Sequence, residues 1–378
     1  MTRILLTLSF VFSLLACGTV KPDLRPPEGL SEHPSFAAPK APGAKAYLEP
    51  PQILAMLEES KVMYRFREMT RTPEMKHDRL LAEAYPEKRK PLILPTVILR
   101  DGERHLVEFP VKPAAGAELV KGEAFFRQRN LDQAVVHYKR ALSLQPDLYL
   151  AISHLGDCAL FGGRPAEALG YYDRAIGINP WDFRTYFYRA NTLAAMGRWK
   201  EAQDDFIEAL ARAPRRASVL NVLEQHRSRL GLRVHRELFW PKACARREGK
   251  EVAICVQKGV NAAPAWTAYG ACKAIWLGEP AHRIAVAGSA NLVYSNHEDR
   301  ECFMNLLGMY KAMRERGHAD AEPQLDRLWE IALAKHLDSF LVYEFITRIS
   351  PHTVLLSGEE GIARMKEFIR RWVVVNAS

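Results

Sequence analysis

Residues 149–182 decide the fold: they read YLAISHLGDCALFGGRPAEALGYYDRAIGINPWD, and the pattern of this stretch occurs three times in succession. The three copies begin 34 residues apart, at Ala115, Tyr149 and Phe183. Each copy ends close to a proline that keeps the same spacing, at Pro146, Pro180 and Pro214. Self-similarity at a fixed period of this length is typical of solenoids in which each repeat is one pair of helices.

Small and aromatic residues hold fixed places within each copy. The small residues are Gly122, Gly156 and Ala190 in the predicted first helices, and Ala134, Ala168 and Ala202 in the second helices. The aromatic residues follow the second set by four positions, at Tyr138, Tyr172 and Phe206. Residues four apart lie on one face of a helix, and a proline stops it. The pattern therefore predicts antiparallel helix pairs that cross closely at the small residues.

In these positions residues 115–214 resemble the tetratricopeptide repeat (TPR). The resemblance implies three helix pairs that stack into a curved solenoid, whose concave wall binds other proteins or peptides. Two features depart from the family pattern. The first copy lacks the glycine of the turn, and the early tryptophan is replaced by Glu118, Ile152 and Tyr186.

Family geometry implies nine side chains on the concave wall: Leu119, Glu123, Phe126, Ser153, Asp157, Leu160, Arg184, Phe187 and Asn191. We expect an extended peptide or a helix of a partner protein to bury apolar side chains there, while charged groups fix its orientation. Leu119 and Glu123 stand where some repeat proteins carry Lys and Asn to clamp a partner's C-terminal carboxylate, so that specificity is not implied. A solvated surface without a partner is the alternative.

Composition and local patterns complete the prediction of a mainly α fold. The 378 residues, of which 48% are hydrophobic, suffice for one large domain or two to three ordinary ones. Residues 215–231 are predicted to form a helix that caps the solenoid of residues 115–214. A small unit at 47–114, with helices and a hairpin, precedes the repeats, and a helical domain at 259–378 follows them.

Two hairpins are predicted outside the repeats. The first lies at Thr96–Phe109 and turns at Asp101-Gly102. Residues 52–85, which precede this hairpin, have the apolar spacing of helices, and a second helix is predicted to start at Thr72-Pro73. The second, within 232–258, turns at Gly249-Lys250 and sets Cys244 opposite Cys255, within reach of a disulfide. A reduced buried pair and a helix in place of the hairpin remain open alternatives there.

The N-terminus indicates export. Residues 1–16 have a positive start and then an apolar run that is shorter than the about 20 residues a membrane helix needs, which favours a signal peptide. Leu14-Leu15-Ala16-Cys17 resembles the bacterial lipobox. This implies a lipid on Cys17, a flexible tether at 17–46 and a place in the cell envelope, at the outer membrane facing the periplasm. An ordinary secreted protein cleaved after Ala16 is the alternative.

The formal net charge of +9 is concentrated in one stretch. Residues 215–258 contain 11 Lys and Arg against 4 Asp and Glu. The stretch 212–250 is therefore a candidate surface for anionic lipid, lipopolysaccharide or an acidic protein, although solvated faces explain these charges equally well. Nucleic acid is not expected outside the cytoplasm.

No pattern in the sequence predicts catalysis, a metal or a cofactor. The nucleophile elbow, the phosphate loop, Cys-x-x-Cys and His-Glu-x-x-His are all absent. His154 with Cys158, and residues 295–299 with Cys302, are explained better by helix packing and a helix N-terminus. We predict a scaffold, and its architecture alone resembles that of repeat lipoproteins of envelope, secretion or pilus assembly. The alternative is an enzyme with its active site in 259–378 and repeats that recruit substrate.

Overall fold

The computed structural model describes residues 47–69, 92–290 and 296–377. The predicted signal peptide, Cys17, the tether and the helix at Thr72-Pro73 lie outside these residues. By its contacts the chain divides into two compact units. The sheet unit comprises the described residues within Met1–Lys88 and Phe239–Ile349, and the repeat unit those within Arg89–Leu238 and Ser350–Ser378. This division differs from the predicted one, which made 47–114 and 259–378 separate units.

The described chain begins in the sheet unit with helix α1 (Pro50–Glu59) and strand β1 (Met63–Met69). The predicted helix at Ile53 and Leu54 is confirmed, but the helical spacing read from Val62 to Phe66 was wrong. Side chains of β1 alternate between exposed and half-buried along most of its length, and β1 pairs in parallel with residues Glu251–Gln257. Pairing with a strand so distant in sequence overrides the local helical pattern.

The repeat unit opens with a hairpin and continues with six helices, as predicted. Strands β2 (Pro95–Arg100) and β3 (Glu103–Glu108) pair in an antiparallel register. The helices that follow are α2 (Pro113–Arg127), α3 (Leu131–Leu144), α4 (Tyr149–Phe161), α5 (Pro165–Ile178), α6 (Phe183–Ala195) and α7 (Trp199–Arg212). Short turns join the helices of each pair, which pack along their length. The predicted solenoid of three helix pairs is thus confirmed.

The small residues do what the repeat pattern predicts. A Cβ atom on Gly122 would lie 2.5 Å from the ring of Tyr138, and one on Gly156 would lie 2.7 Å from the ring of Tyr172. Both rings are fully buried. In the first two pairs the absence of a Cβ atom at these glycines therefore makes room for the ring of the second helix.

The turns within the repeats require a left-handed backbone. Gly163 and Gly197 adopt φ values of 76° and 78° in the second and third pairs, a conformation that glycine takes without steric cost. Arg129 adopts φ 63° at the equivalent turn of the first pair. The first copy thus keeps the turn geometry without the turn glycine.

The predicted capping helix is two helices. Helix α8 (Ala217–Gln225) and the short α9 (Arg227–Leu230) are separated at His226, and strand β4 (Leu232–Val234) follows. Val219, Leu220 and Leu223 of α8 are buried, as expected for a helix that covers the end of the solenoid.

The sheet unit is a three-stranded sheet against helices. Strands β5 (Ala243–Glu248) and β6 (Glu251–Gln257) form the predicted hairpin, and the strand order is β1-β6-β5. The helices are α10 (Ala263–Gly278), α11 (Pro280–Ala287), α12 (Asn296–Glu315), α13 (Pro323–Leu333), α14 (Leu337–Leu341) and α15 (Thr347–Ile349), with a π-helical turn at Val342–Ile346. Phe239 centres an aromatic core with Trp266, Tyr269, Phe303, Phe340 and Phe345.

The cysteine pairing differs from the disulfide considered for Cys244 and Cys255. These residues lie directly opposite each other in the β5–β6 register, as predicted, but both carry reduced thiols. The disulfide joins Cys272 to Cys302, whose Cα atoms are 5.3 Å apart. It links α10 to α12, a contact between helices that no short-range pattern reveals.

The C-terminal residues return to the repeat unit. Helix α16 (Thr353–Leu356) and helix α17 (Gly358–Phe368) lead through a π-helical turn at Ile369–Val373 into strand β7 (Val374–Asn376). Helix α17 packs against α7, and β7 pairs with β4. The end of the solenoid is therefore covered by α8 and also by α17, which was predicted to belong to a separate domain.

None of the helices in the described part of the chain combines the length and the apolar composition that a membrane crossing requires.

Candidate partner-binding groove

The first helices of the three pairs line a groove of about 600 Å³ in the repeat unit. Seven of the nine residues predicted for the concave wall lie in it: Glu123, Phe126, Asp157, Leu160, Arg184, Phe187 and Asn191. They bring carboxylates, a guanidinium, an amide and large apolar side chains to one concave surface. Such a mixture is typical of peptide-binding sites.

Leu119 and Ser153 do not line the groove, which corrects the prediction for them. Leu119 is 6% exposed and belongs to the core of the first repeat, where Leu94 and Phe109 pack against the same cluster. Ser153 is completely buried. The segment around the β2–β3 hairpin covers this end of the helices, since the ring of Phe109 lies 4.9 Å from that of Tyr149.

Seven further residues line the groove that the sequence did not assign to it: Arg127, Tyr138, Leu150, His154, Phe161, Tyr172 and Tyr188. Tyr138 and Tyr172 come from the second helices and were assigned to packing alone. Their rings fill the helix crossings, and the hydroxyl of Tyr172 donates a hydrogen bond of 2.7 Å to Asp157.

His154 joins the first and second repeats at the floor of the groove. Its Nδ1 lies 3.0 Å from a carboxylate oxygen of Asp157, and its Nε2 lies 3.5 Å from a carboxylate oxygen of Glu123. Arg127 in turn donates to Glu123 at 3.3 Å. These contacts hold four charged groups in one fixed network.

The charge of His154 follows from its neighbours. Burial lowers the pKa of His154, but its hydrogen bonds to Asp157 and Glu123 and the negative charge of both carboxylates outweigh the effect of burial and raise the pKa to about 8. The hydrogen bond from His154 likewise lowers the pKa of Glu123. At neutral pH the floor therefore holds a protonated imidazole between two carboxylates.

Aromatic side chains form the apolar part of the groove. The rings of Phe126 and Phe161 meet edge to face with centroids 5.5 Å apart, and those of Phe187 and Tyr188 lie 5.9 Å apart. Phe161 is 54% exposed, an unusual exposure for a large apolar ring. The guanidinium of Arg129 covers it at 4.9 Å.

Arg184 is fixed in place rather than mobile. Its Nε donates to both carboxylate oxygens of Asp182, at 2.9 and 3.0 Å, and another nitrogen donates to the carbonyl of Ile93 at 2.8 Å. Asp182 is completely buried and also accepts a hydrogen bond of 2.7 Å from Tyr149. Arg184 therefore holds its guanidinium in a fixed position on the groove wall, and Asp182 largely balances its positive charge.

The basic stretch 212–250 stays a predicted surface for an anionic partner. Its residues are divided between the two units, and most of its cations make contacts within their own unit. Ion pairs or hydrogen bonds hold Arg215, Arg227, Arg236, Lys242 and Arg247, and aromatic rings face Arg212, Arg216 and Arg229. Many of the positive charges that could attract an anionic partner are therefore already paired with other residues.

The weak catalytic candidates have structural roles. Burial raises the pKa of Cys158 to about 12, so its thiol is a poor nucleophile, and Cys302 is in the disulfide. In the sheet unit, Lys273 pairs with Glu298 and Asp299, whose side chains are 8% and 0% exposed. Within ranges 47–69, 92–290 and 296–377, no three His, Cys, Asp or Glu side chains are grouped to hold a metal ion.

Comparison with known proteins agrees with this fold. The family model "Tetratricopeptide repeat" matches residues 119–182. The chain is similar to the U-box domain-containing protein 70 of Oryza sativa subsp. japonica, at 27% identity over 105 residues, which is 28% of this chain and 13% of that protein. It is also similar to Superkiller protein 3 of Schizosaccharomyces pombe, at 29% identity over 127 residues, or 34% and 9% of the two chains.

Two solved structures are similar to part of the chain. One is the first TPR of Spaghetti (RPAP3) bound to the HSP90 peptide SRMEEVD, with a TM-score of 0.31, 20% identity and coverage of 32% of this chain and 98% of that chain. The other is the MamA protein, with a TM-score of 0.28, 13% identity and coverage of 61% and 95%. The chain spans only a small part of the two curated relatives.

Residues 119–182, which span most of α2 through α5, match the tetratricopeptide-repeat model, and α6 and α7 continue the same helix-pair architecture. Repeats of this kind provide surfaces for interactions between proteins, so the repeat unit has the architecture of an interaction scaffold.

Proposed function

We propose that the groove binds a segment of a partner protein by burying apolar side chains against its aromatic residues. The observation that carries this proposal is the set of large apolar side chains that line the groove beside its polar floor: the exposed Phe161 and the half-buried Phe126, Leu160 and Phe187. Water covers these side chains until a partner displaces it, and burying one such side chain contributes about 1.5–3 kcal/mol.

The polar floor supplies orientation. Glu123, Asp157 and His154 form a charged network that lines the groove. Glu123 and Asp157 already share the proton of His154, so the floor favours a partner segment with few charges over one that is strongly acidic or basic.

A variant in which two rings are removed tests the proposal. Membrane extracts are passed over the immobilised protein, and bound proteins are quantified by mass spectrometry. We expect Phe126→Ala/Phe187→Ala to lose the specific partner by about ten-fold or more, because hot-spot residues carry most of the binding energy.

The matched control removes exposed apolar side chains outside the groove. Val120 and Val136 are 64% and 39% exposed and do not line it. Val120→Ala/Val136→Ala should bind as the wild type does, and circular dichroism should show equal folding of all three proteins. Equal capture by the groove variant, or equal loss in the control, contradicts the proposal.

For the cellular setting, we infer a lipoprotein anchored through Cys17 in the bacterial envelope, as a scaffold of envelope, secretion or pilus assembly. The Cys272–Cys302 disulfide supports export, because disulfides persist in oxidising compartments. Mass spectrometry of the mature protein tests the anchor. A diacyl or triacyl mass on Cys17 that Cys17→Ala abolishes supports it, and an unmodified N-terminus at residue 17 contradicts it.

A further inference from the structure

Three sulfur atoms converge on one face of the sheet in the sheet unit. They belong to Met69 at the end of β1, Cys244 in β5 and Cys255 in the central strand β6. The Cys244 thiol lies 3.7 Å from the sulfur of Met69, and the three residues with Ala253 form one apolar cluster.

The strand registers fix this arrangement. Cys244 and Cys255 are directly opposed in the antiparallel pair. Met69 is opposed to Gln257, two residues beyond Cys255 on the same face. The opposite face, with Ala243 and Ile254, packs on α10 at Gly270. The sulfur atoms therefore come together on the face of the sheet away from α10, on three hydrogen-bonded strands.

The donor set selects a particular class of metal. Two thiolates and a thioether are soft ligands, which favour Cu(I) over hard cations such as Mg²⁺ or Ca²⁺. Metal–thiolate bonds of about 2.3 Å in a planar three-coordinate site imply sulfur–sulfur distances of about 4 Å. The observed 3.7 Å between Cys244 and Met69 is close to this separation. A structural zinc site needs a fourth ligand, and among the described residues this cluster supplies only the three sulfur atoms.

We propose that Met69, Cys244 and Cys255 form a three-coordinate binding site for Cu(I). Two Cys S–H groups each lose a proton to water as two Cu–S(thiolate) bonds form, and the Met69 thioether donates a lone pair without losing a proton. No electron is transferred, because the metal is taken up as Cu(I). Binding therefore releases two protons and leaves the site with a net charge of −1.

The surrounding charges suit this state. A hydrogen bond from Cys244 lowers the pKa of Cys255, and burial raises this pKa. The positive charges of Arg246 and Arg67 lower the pKa further, whereas the negative charge of Glu248 raises it. Cys244 and Cys255 are 7% and 6% exposed. The thiolates are thus shielded from bulk solvent while remaining near the surface.

Anaerobic titration of the full chain with Cu(I), with the Cys272–Cys302 disulfide left oxidised, tests the site. A chromophoric chelator competes for the metal, and all proteins carry Cys17→Ser so that this thiol does not contribute. We expect one Cu(I) per chain, with an X-ray absorption spectrum that shows sulfur ligands only. Cys244→Ser and Cys255→Ser should abolish this binding. Met69→Leu should weaken it by more than the about 10–100-fold that an outer-shell partner contributes.

Cys158→Ser is the matched control, because Cys158 is a buried thiol of the repeat unit. It should bind Cu(I) as the parent does, and circular dichroism should show that every variant is folded. Undiminished binding in Cys255→Ser, loss of binding in Cys158→Ser, or nitrogen and oxygen ligands in the absorption spectrum would each overturn the proposal. So would a parent protein that takes up no Cu(I) while Cys244 and Cys255 react fully with a thiol reagent.

Discussion

The imidazole of His154 stacks on the phenol ring of Tyr138, with ring centroids 5.3 Å apart and an angle of 27° between the planes. His154 lies in the first helix of the second repeat, and Tyr138 in the second helix of the first repeat. The stack therefore joins neighbouring repeats directly beneath the groove. Since Glu123 and Asp157 flank the same imidazole, the packing of the repeats depends on its protonation.

This dependence predicts a stability that changes with pH. The pKa of His154 is about 8 in the folded protein against 6.5 for an ordinary histidine, so protonation stabilises the fold. The contribution, about 2 kcal/mol for such a difference, is complete below about pH 6.5 and is lost as the pH rises through 8. We expect His154→Gln to destabilise the repeat unit at pH 6 and much less at pH 9.

Urea denaturation across this pH range, with NMR titration of the His154 ring, checks the prediction. An imidazole that titrates near 6.5, or a stability difference that does not vary with pH, would show that the carboxylates do not hold the proton.

A second prediction concerns the helix crossings. Gly122→Ala places a Cβ atom 2.5 Å from the Tyr138 ring, so the ring or the helix must move, at a cost of about 1–3 kcal/mol. Gly170 in α5 is exposed and has no atom within 4 Å of an added Cβ. Gly170→Ala should therefore stabilise the protein by up to about 1 kcal/mol, the helix-propensity gain.

Thermal unfolding of the two variants measures the difference. The same chemical change should have opposite signs at the two positions. A Gly122→Ala protein as stable as the wild type would refute the close approach at the crossing.

Features set by neighbouring residues could be predicted from the sequence. The period of 34 residues gave the six repeat helices, and the Asp101-Gly102 and Gly249-Lys250 turns gave both hairpins, including the opposition of Cys244 and Cys255. Seven of the groove residues were among those that the resemblance to the tetratricopeptide repeat implied for α2, α4 and α6.

Features set by distant residues could not. Strand β1 pairs with β6, which lies beyond all the repeats in the sequence. The alternation of Tyr64 and Phe66 with Arg65 and Arg67 was nevertheless a local sign of a strand. The partners of Cys272 and of α17 depend on the tertiary path alone. His154 was read as a packing residue because its charged neighbour Glu123 lies on another repeat.

The disulfide between α10 and α12 leads to a third prediction. It closes a loop with a sequence separation of 30, and a loop of this length corresponds to about 3–4 kcal/mol of stability. Cys272→Ser/Cys302→Ser should lose this amount in guanidinium unfolding. Alkylation of the unfolded protein without reductant should label Cys158, Cys244 and Cys255 and spare the bonded pair. Labelling of Cys272 or Cys302 under these conditions would contradict the assignment.

The last prediction concerns the C-terminal helix as a lid of the solenoid. Phe368, at the end of α17, is completely buried, whereas Arg370 makes an exposed ion pair of 2.9 Å with Asp204 of α7. Phe368→Ala should cost about 3–5 kcal/mol through the cavity that it leaves, and Arg370→Ala at most about 1 kcal/mol, as for surface ion pairs.

Hydrogen exchange separates this effect from general destabilisation. If α17 completes the core of the last repeat, Phe368→Ala should speed hydrogen exchange in α7 more than in α2, which lies at the other end of the repeat stack. Arg370→Ala should leave the exchange rates of both helices near those of the wild type. Because repeat proteins are stabilised by contacts between neighbours, the loss should decline from α7 towards α2. Equal acceleration in all six helices would instead mean that the solenoid unfolds as one body, with α17 an ordinary part of it.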